Sequence, residues 1–284
     1  MSQNQIIGVI GSGTMGNGIA HVSALSGYQV LLVDINDNVL KKATDLISFN
    51  LGKQVNKGII SEENKLDALN NIKGTTNILD VKNADLIIEA VSENKAIKSK
   101  IFSKLDLTCK AETILASNTS SISITDIAKE TNRPDKVIGM HFMNPVPIMK
   151  LVEVINTSET SAKTKDSIID IAKSMKKIPI ECNDYPGFIS NRILMPMINE
   201  AIFCLEQKVA TKDAIDDIMT LGMSHPMGPL KLADFIGLDI CLDIMNVLFN
   251  GFNDLKYKPC NLLEKMVGNG NLGRKTGKGF YNYK

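Results

Sequence analysis

"VIGSGTMGNGIA", residues 9–20, decides how this chain is read. It begins within the apolar run "IIGVI" (6–10) and opens a stretch with helical spacing. Gly11, Gly13 and Gly16 make G-x-G-x-x-G, with Thr14 and Met15 between the last two. The first glycine permits a tight turn and the second lets a diphosphate approach the backbone. The third lets helix pack on strand, with the helix N-terminus facing the anion. A second apolar run, "YQVLLVD" (28–34), ends in Asp34, 23 residues beyond Gly11, where an acid grips the ribose of a dinucleotide. No arginine follows Asp34, and a carboxylate there repels a 2′-phosphate, so NAD is expected over NADP. The alternative is a structural glycine turn followed by a capping aspartate.

Outward from this loop, "ADLIIEAV" (84–91), "TILASN" (113–118) and "KVIGMHF" (136–142) repeat the short, β-branched character of the first two runs. Most are separated by longer stretches with helical spacing and charge, the pattern of β-α-β units building a parallel sheet. The segment from Asn36 to about Ile72 is long, polar and lysine-rich, with a cap-like "SEEN" at Ser61, and reads as two helices projecting from the sheet. From Gly187 onward no strand is evident. "FISNRILMPMINEAIFCLEQ" is helical but interrupted by Pro196, "ATKDAIDDIMTLGM" has Thr211 as N-cap, and "GLDICLDIMNVLFNGF" is a further apolar helix. The expected fold is α/β: a Rossmann-type doubly wound, mostly parallel sheet over residues 1–183 with a helical projection at about 36–72, then a smaller all-helical domain over 184–284.

A chain of 284 residues can bury a substantial core without staples. A formal charge of +1 gives no reason to expect nucleic acid or an anionic membrane as partner. Arg133, Arg192 and Arg274 are the only arginines, so lysines must do most anion binding. The five cysteines are scattered with no C-x-x-C, which indicates neither a disulfide framework nor a zinc site and suits a reducing cytosol. The first strand-like run begins at Gln5, so no signal or transit peptide is expected. No stretch approaches the ~18 apolar residues of a spanning helix. A cytoplasmic location is expected.

Within "GMHFMNPVPIMKLVEVI" (139–155), Glu153 stands in an apolar strand-like run, where a carboxylate is costly unless paired. His141, across a proline-punctuated turn, is the candidate partner. It ends a strand of the parallel sheet, at the edge where such folds bind ligands. An imidazole with an ordinary pKa near ~6.5 can take and return a proton at neutral pH. A neighbouring carboxylate would hold its tautomer and stabilise the imidazolium. The competing reading is a solvated glutamate on an edge strand. His21, in the first helix, and His225, in a proline-glycine loop, read as structural.

Several segments together resemble one family. "SNTSSISI" (117–124), "HFMNPVPIMKLVEV" (141–154), "DYPGFISNR" (184–192), "HPMGPLKLADFIGLD" (225–239) and "GRKTGKGFYNY" (273–283) are similar to the L-3-hydroxyacyl-CoA dehydrogenases, above all the short bacterial 3-hydroxybutyryl-CoA dehydrogenases. The resemblance spans essentially the whole chain. It implies NAD-dependent interconversion of 3-oxoacyl-CoA and (S)-3-hydroxyacyl-CoA, with acetoacetyl-CoA and 3-hydroxybutyryl-CoA as the expected pair. It implies His141 as general acid/base with Glu153 as partner, Ser120 on the substrate's 3-oxygen, and Asn191 reaching the substrate from the second domain. For the nucleotide it adds Glu93, Lys98, Asn144 and Lys275 to Gly11, Gly13, Thr14, Met15, Gly16 and Asp34. Lys53, on the projecting helices, is the expected contact to CoA phosphates. It also implies a homodimer formed through the helical domain. Ser120 and Asn191 carry no signal of their own, since such residues in turns and near helix starts are usually caps.

Two other readings remain open at this level. One is a dehydrogenase of a related 3-hydroxy acid without CoA; the intact "HFMNPVP" and "NTSS" segments favour the acyl-CoA substrate. The other is a dinucleotide-binding protein without turnover, which could lose His141, Glu153, Ser120 or Asn191 and keep its fold. All four are present.

Overall fold

The apolar runs form strands because each is bounded by turn residues and is too short for a stable helix. The structure, a computed structural model, describes residues 5–283. The strands are β1 (Ile6–Ile10), β2 (Gln29–Val33), β3 (Ile72–Thr75), β4 (Leu86–Glu89), β5 (Ile114–Ser117), β6 (Val137–Phe142), β7 (Leu151–Asn156) and β8 (Ile178–Asn183). They lie in one sheet in the order β3-β2-β1-β4-β5-β6-β7-β8. Pairing is parallel throughout except between β6 and β7, which run antiparallel. The order reverses between β1 and β4, and the C-terminal ends of those two strands frame the crevice where doubly wound sheets bind ligands.

β3 and β8 were not evident from their residues. β3 is a four-residue edge strand with two exposed positions, and β8 is an edge strand whose residues are mostly exposed. Neither has an apolar run, because an edge strand need not be buried on both faces. Only pairing, with β2 and β7 respectively, defines them.

Among the described residues, six α-helices accompany the sheet: α1 (Thr14–Leu25), α2 (Asp37–Asn56), α3 (Glu62–Asn70), α4 (Lys95–Thr108), α5 (Ile124–Ala128) and α6 (Ala162–Ser174). α2 and α3 are the expected helical pair. Asn36 caps α2 by accepting from the Val39 N–H, and Ser61 and Asn64 form a reciprocal capping box at α3. The pair shares the core of the sheet, since Leu40, Ala43, Ile47, Leu51 and Ala68 are buried with Ile19, Leu32 and Ile88. Each buried leucine or isoleucine contributes roughly 1.5–3 kcal/mol by leaving water.

The chain divides into a first unit ending at Asp184 and a second beginning at Tyr185. The second unit contains α7 (Ser190–Glu206), α8 (Lys212–Asp217), α9 (Pro229–Ile236), α10 (Leu238–Phe252) and α11 (Asn261–Gly268). Thr211 caps α8 as expected. Pro196 does not interrupt α7, which continues through it. The lost N–H of an internal proline costs ~3 kcal/mol. Burial of Met195, Ile198 and Ile202 in the unit's core offsets that loss. The C-terminal segment is tied down by Asp234, whose buried carboxylate accepts from the N–H groups of Phe280 and Tyr281 and from the Tyr283 hydroxyl, each at 2.9 Å. No helix among the described residues is long and apolar enough to cross a membrane.

Candidate active site

The glycine loop turns at the C-terminal end of β1. Gly11 has φ +95°, and Gly16 lies so close beneath it that a Cβ there would be 1.8 Å from the Gly11 carbonyl oxygen. Over Gly13, by contrast, a Cβ would meet nothing within 4 Å. Gly13 is also the N-cap of α1 and offers no side chain to its first turn. Backbone open to approach at a helix N-terminus fits a diphosphate. Thr14 opens the helix and is exposed, while Met15 packs partly against the core.

Asp34 follows β2 at the same edge. Its Oδ2 accepts from the Ser12 N–H and hydroxyl, both at 2.6 Å, and its Oδ1 from the Ile35 N–H at 2.7 Å. Burial alone would raise this carboxyl's pKa, but the Ser12 hydroxyl and the two N–H groups outweigh it and hold the group below the usual carboxylate range. Asp34 is thus held as an anion. A cleft of about 370 Å³ opens here, lined by Gly11, Asp34, Ile35, Ile78, Val91 and Ile101 among others. Lys100 and Lys104 also line it, so an apolar wall and one held carboxylate stand beside two cationic side chains.

The next strands along the sheet carry a second cluster. The Glu93 Oε1 accepts from the Thr119 hydroxyl at 2.6 Å and from the N–H and hydroxyl groups of Ser120 and Ser121 at 2.9–3.2 Å. Its other oxygen lies 3.3 Å from the Lys98 ammonium. Burial pushes the Glu93 pKa up, but Lys98 and these donors win, leaving it below the ordinary value. Ser120, Glu93 and Lys98 are therefore brought into one hydrogen-bonded group.

His141 and Glu153 meet across the antiparallel β6–β7 pair. They are direct register partners, and the imidazole Nδ1 is 2.8 Å from the Glu153 Oε2. They are 7% and 4% exposed. An ionised carboxylate only accepts, so the contact puts the proton on Nδ1. Asn144, in the exposed turn after β6, lies between these strands in sequence.

The remaining candidates are separate. Lys53 is exposed on α2, its ammonium 4.2 Å from the centre of the Phe49 ring. In the second unit, Asn191 is buried at the second position of α7, following Gly187 at φ +73° and the buried Phe188. Lys275 of the C-terminal segment pairs with Asp239. His21 is buried, and burial drives its pKa down to about 4, in keeping with a neutral packed histidine.

Three supporting residues escaped the reading of the sequence. Glu89 ends β4 with its side chain fully buried, paired to Lys98 at 2.6 Å and to the Ser117 hydroxyl at 2.6 Å. The argument that singled out Glu153, an acid in an apolar strand, applies to Glu89 equally and could have found both it and its need for partners. The Asn118 side-chain carbonyl accepts the N–H of Phe142, next to His141, at 2.9 Å. Lys177 is buried after α6, and its ammonium donates to the carbonyls of Val146 and Met149 (2.8 Å to the latter) in the turn between His141 and Glu153. Nothing in the sequence near Lys177 or Asn118 marks that role.

A doubly wound sheet with a G-x-G-x-x-G loop at the start of its first helix is the architecture of dinucleotide-binding enzymes. Comparison with known proteins narrows the class. Residues 6–185 match the NAD-binding domain of 3-hydroxyacyl-CoA dehydrogenase, and residues 187–283 match its C-terminal domain. The chain is 52% identical to the 3-hydroxybutyryl-CoA dehydrogenase of Clostridioides difficile over 98% of this chain and 99% of that one. It is 50% identical to the probable 3-hydroxybutyryl-CoA dehydrogenase of Bacillus subtilis over 97% and 96% of the two chains. The crystal structure of (S)-3-hydroxybutyryl-CoA dehydrogenase from Ralstonia eutropha superposes with a TM-score of 0.96 at 46% identity, covering 99% of each chain. The chain belongs to the 3-hydroxyacyl-CoA dehydrogenase family, and its cofactor is NAD.

Proposed function

We propose that this enzyme interconverts acetoacetyl-CoA and (S)-3-hydroxybutyryl-CoA, with His141 as general acid/base. The observation that carries the mechanism is the His141–Glu153 contact of 2.8 Å on the sheet edge that also bears the glycine loop. The identities of 50% and 52% to relatives named for 3-hydroxybutyryl-CoA support the four-carbon substrate.

NAD, when bound, supplies the hydride acceptor. In the oxidation direction, the His141 Nε2 takes the proton of the substrate's 3-hydroxyl as C3 gives up its hydride and becomes a ketone. Glu153 steadies the positive charge that His141 then carries. In reduction, His141 returns the proton to the forming alkoxide. Ser120 hydrogen-bonds the 3-oxygen, and Asn191 contributes a further polar contact to the substrate. Gly11, Gly13, Thr14, Met15 and Gly16 cradle the diphosphate and Asp34 takes the adenosine ribose. Glu93, Lys98, Asn144 and Lys275 complete the nucleotide contacts, and Lys53 meets a phosphate of CoA. The same reading gives a cytoplasmic homodimer joined through the helical unit, where Ile193, Ile218 and Leu221 are exposed apolar side chains.

The test is NADH oxidation with acetoacetyl-CoA, repeated with NADPH and with free acetoacetate. Turnover that needs both NADH and the CoA moiety is the expected result. Turnover with free acetoacetate as good as with its thioester would remove CoA from the assignment. Comparable use of NADPH would remove the role given to Asp34. No turnover despite NADH binding would leave a different hydroxy acid or a non-catalytic protein.

A further inference from the structure

Ser120 sits on a turn, and a turn by itself does not hold a hydroxyl to the tolerance that hydride transfer demands. Two chains of contacts hold this one, and both lead to Glu89. In the first, the Glu89 Oε1 accepts from the Lys98 ammonium at 2.6 Å and from the Val91 N–H at 2.8 Å. Lys98 in turn reaches the Glu93 Oε2 at 3.3 Å, and the Glu93 Oε1 gathers Thr119, Ser120 and Ser121. In the second, the Glu89 Oε2 accepts from the Ser117 hydroxyl at 2.6 Å, and the Ser117 Oγ accepts the Thr119 N–H at 3.2 Å. The sheet supports this second chain, because Glu89 and Ser117 are register partners in parallel β4 and β5.

We propose that Glu89 is a positioning residue of this dehydrogenase: its carboxylate fixes Lys98 on one side and Ser117 on the other, so that Glu93 and the Thr119–Ser121 turn present Ser120 in one place. The assignment rests on the proposed function, in which Ser120 meets the substrate's 3-oxygen. Glu89 itself is 0% exposed and touches no substrate; Lys98 is 1% exposed. A buried ammonium shared between two carboxylates settles between them. With Glu89 uncharged, Lys98 has Glu93 as its only anion, and Glu93 is drawn off the turn whose donors it holds. Ser120 then moves relative to the reacting carbon, and a displacement of about 1 Å costs on the order of 100-fold in rate.

The full chain carrying Glu89→Gln, which keeps the shape and removes the charge, is compared with wild type and with Ser117→Ala. Three quantities are read on each: kcat with acetoacetyl-CoA, the Kd for NADH, and the melting temperature. Glu89→Gln is expected to lower kcat on the order of 100-fold and to weaken NADH, because Lys98 and Glu93 shift. Ser117→Ala cuts only the second chain of contacts and is expected to lower kcat with NADH affinity retained. A merely structural Glu89 would lower the melting temperature and leave kcat and Kd per folded molecule unchanged, which overturns the proposal. If Glu89→Gln does not fold, Ser117→Ala decides alone, and wild-type kcat in that variant overturns it. A wild-type protein inactive on acetoacetyl-CoA defeats the substrate reading instead. The NADH measurements then still judge Glu89, and wild-type affinity in Glu89→Gln counts against it.

Discussion

His141 and Glu153 are register partners on antiparallel strands β6 and β7, with the imidazole Nδ1 2.8 Å from the carboxylate. Directly opposed residues on one face bring their side chains together whatever the loop between them does. The pair is therefore built by the sheet and not by the turn, and its geometry is as rigid as the strands. Such placement holds a catalytic group better than a loop does.

Glu153→Gln keeps the shape of the pair and removes its charge, so the imidazolium formed during oxidation loses its anion. The expected result is a fall in kcat of about 100-fold, at the lower end of what positioned acid–base catalysis supplies. His141→Gln removes the proton carrier and should cost on the order of 10⁴-fold, while NADH still binds. Steady-state kinetics beside NADH fluorescence titration separate the two effects. Loss of NADH binding in His141→Gln would make the histidine structural, and wild-type turnover in Glu153→Gln would dismiss the carboxylate.

The glycines of the phosphate loop should divide by role. Gly13→Ala adds a methyl that meets no protein atom within 4 Å. It is expected to melt as wild type does and to bind NADH at least about tenfold more weakly, since the methyl occupies the diphosphate's approach. Gly16→Ala would place its Cβ 1.8 Å from the Gly11 carbonyl oxygen and should destabilise the fold itself. Overpacking of this kind costs about 1–3 kcal/mol or more. Thermal melts and NADH titrations of both variants check the division; a Gly13→Ala protein with wild-type affinity would show that nothing approaches that backbone.

Ser12 should govern the acid limb of stability through Asp34. The native pKa of Asp34 is depressed, so its ionised form stabilises the fold above the unfolded value near ~3.9. That contribution is lost as pH falls through the lower native value. Ser12→Ala removes one of the bonds to Oδ2 and brings the native value back toward the ordinary one. The loss on acidification still begins near the unfolded value, but it should be smaller and level off at higher pH, with stability at neutral pH reduced by the difference. Denaturant unfolding from pH 6 downward reads it. An acid limb that coincides with wild type would mean that Ser12 does not hold Asp34.

Lys177→Met should loosen the turn between the paired residues. The carbonyls of Val146 and Met149 lose their donor, which costs about 1–3 kcal/mol at the buried Val146 and less at Met149, which water reaches. Removing a buried ammonium with no carboxylate partner among the described residues offsets part of that. A net loss of about 1–3 kcal/mol is expected in chemical denaturation, with the His141–Glu153 pair, held by the β6–β7 register, left in place. A variant as stable as wild type would show that water replaces the ammonium there.

Legibility varied with burial. β1, β2, β4, β5 and β6 announced themselves because central parallel strands are covered on both faces and read as continuous apolar runs. β3 and β8, on the edges, have no such pattern and exist only through their neighbours. Pro196 was misleading in isolation, because helix propensity says nothing of the core that carries α7 through it. Glu89 and Glu153 posed the same question, an acid in an apolar strand, yet their partners lie 9 and 12 residues away and only the second pairing could be guessed.

The order of apolar runs and helical stretches and the glycine spacing determined the class of sheet and its phosphate loop, because those depend on local pattern and on backbone approach. Which carboxylate meets which donor was decided only by the tertiary structure. The β4–β5 register sets Glu89 beside Ser117, and the β6–β7 register sets Glu153 opposite His141. A shift of one residue in either register would turn the side chain to the other face of the sheet. The stretch 139–155 suggests the second pairing, but no single stretch of chain contains the first.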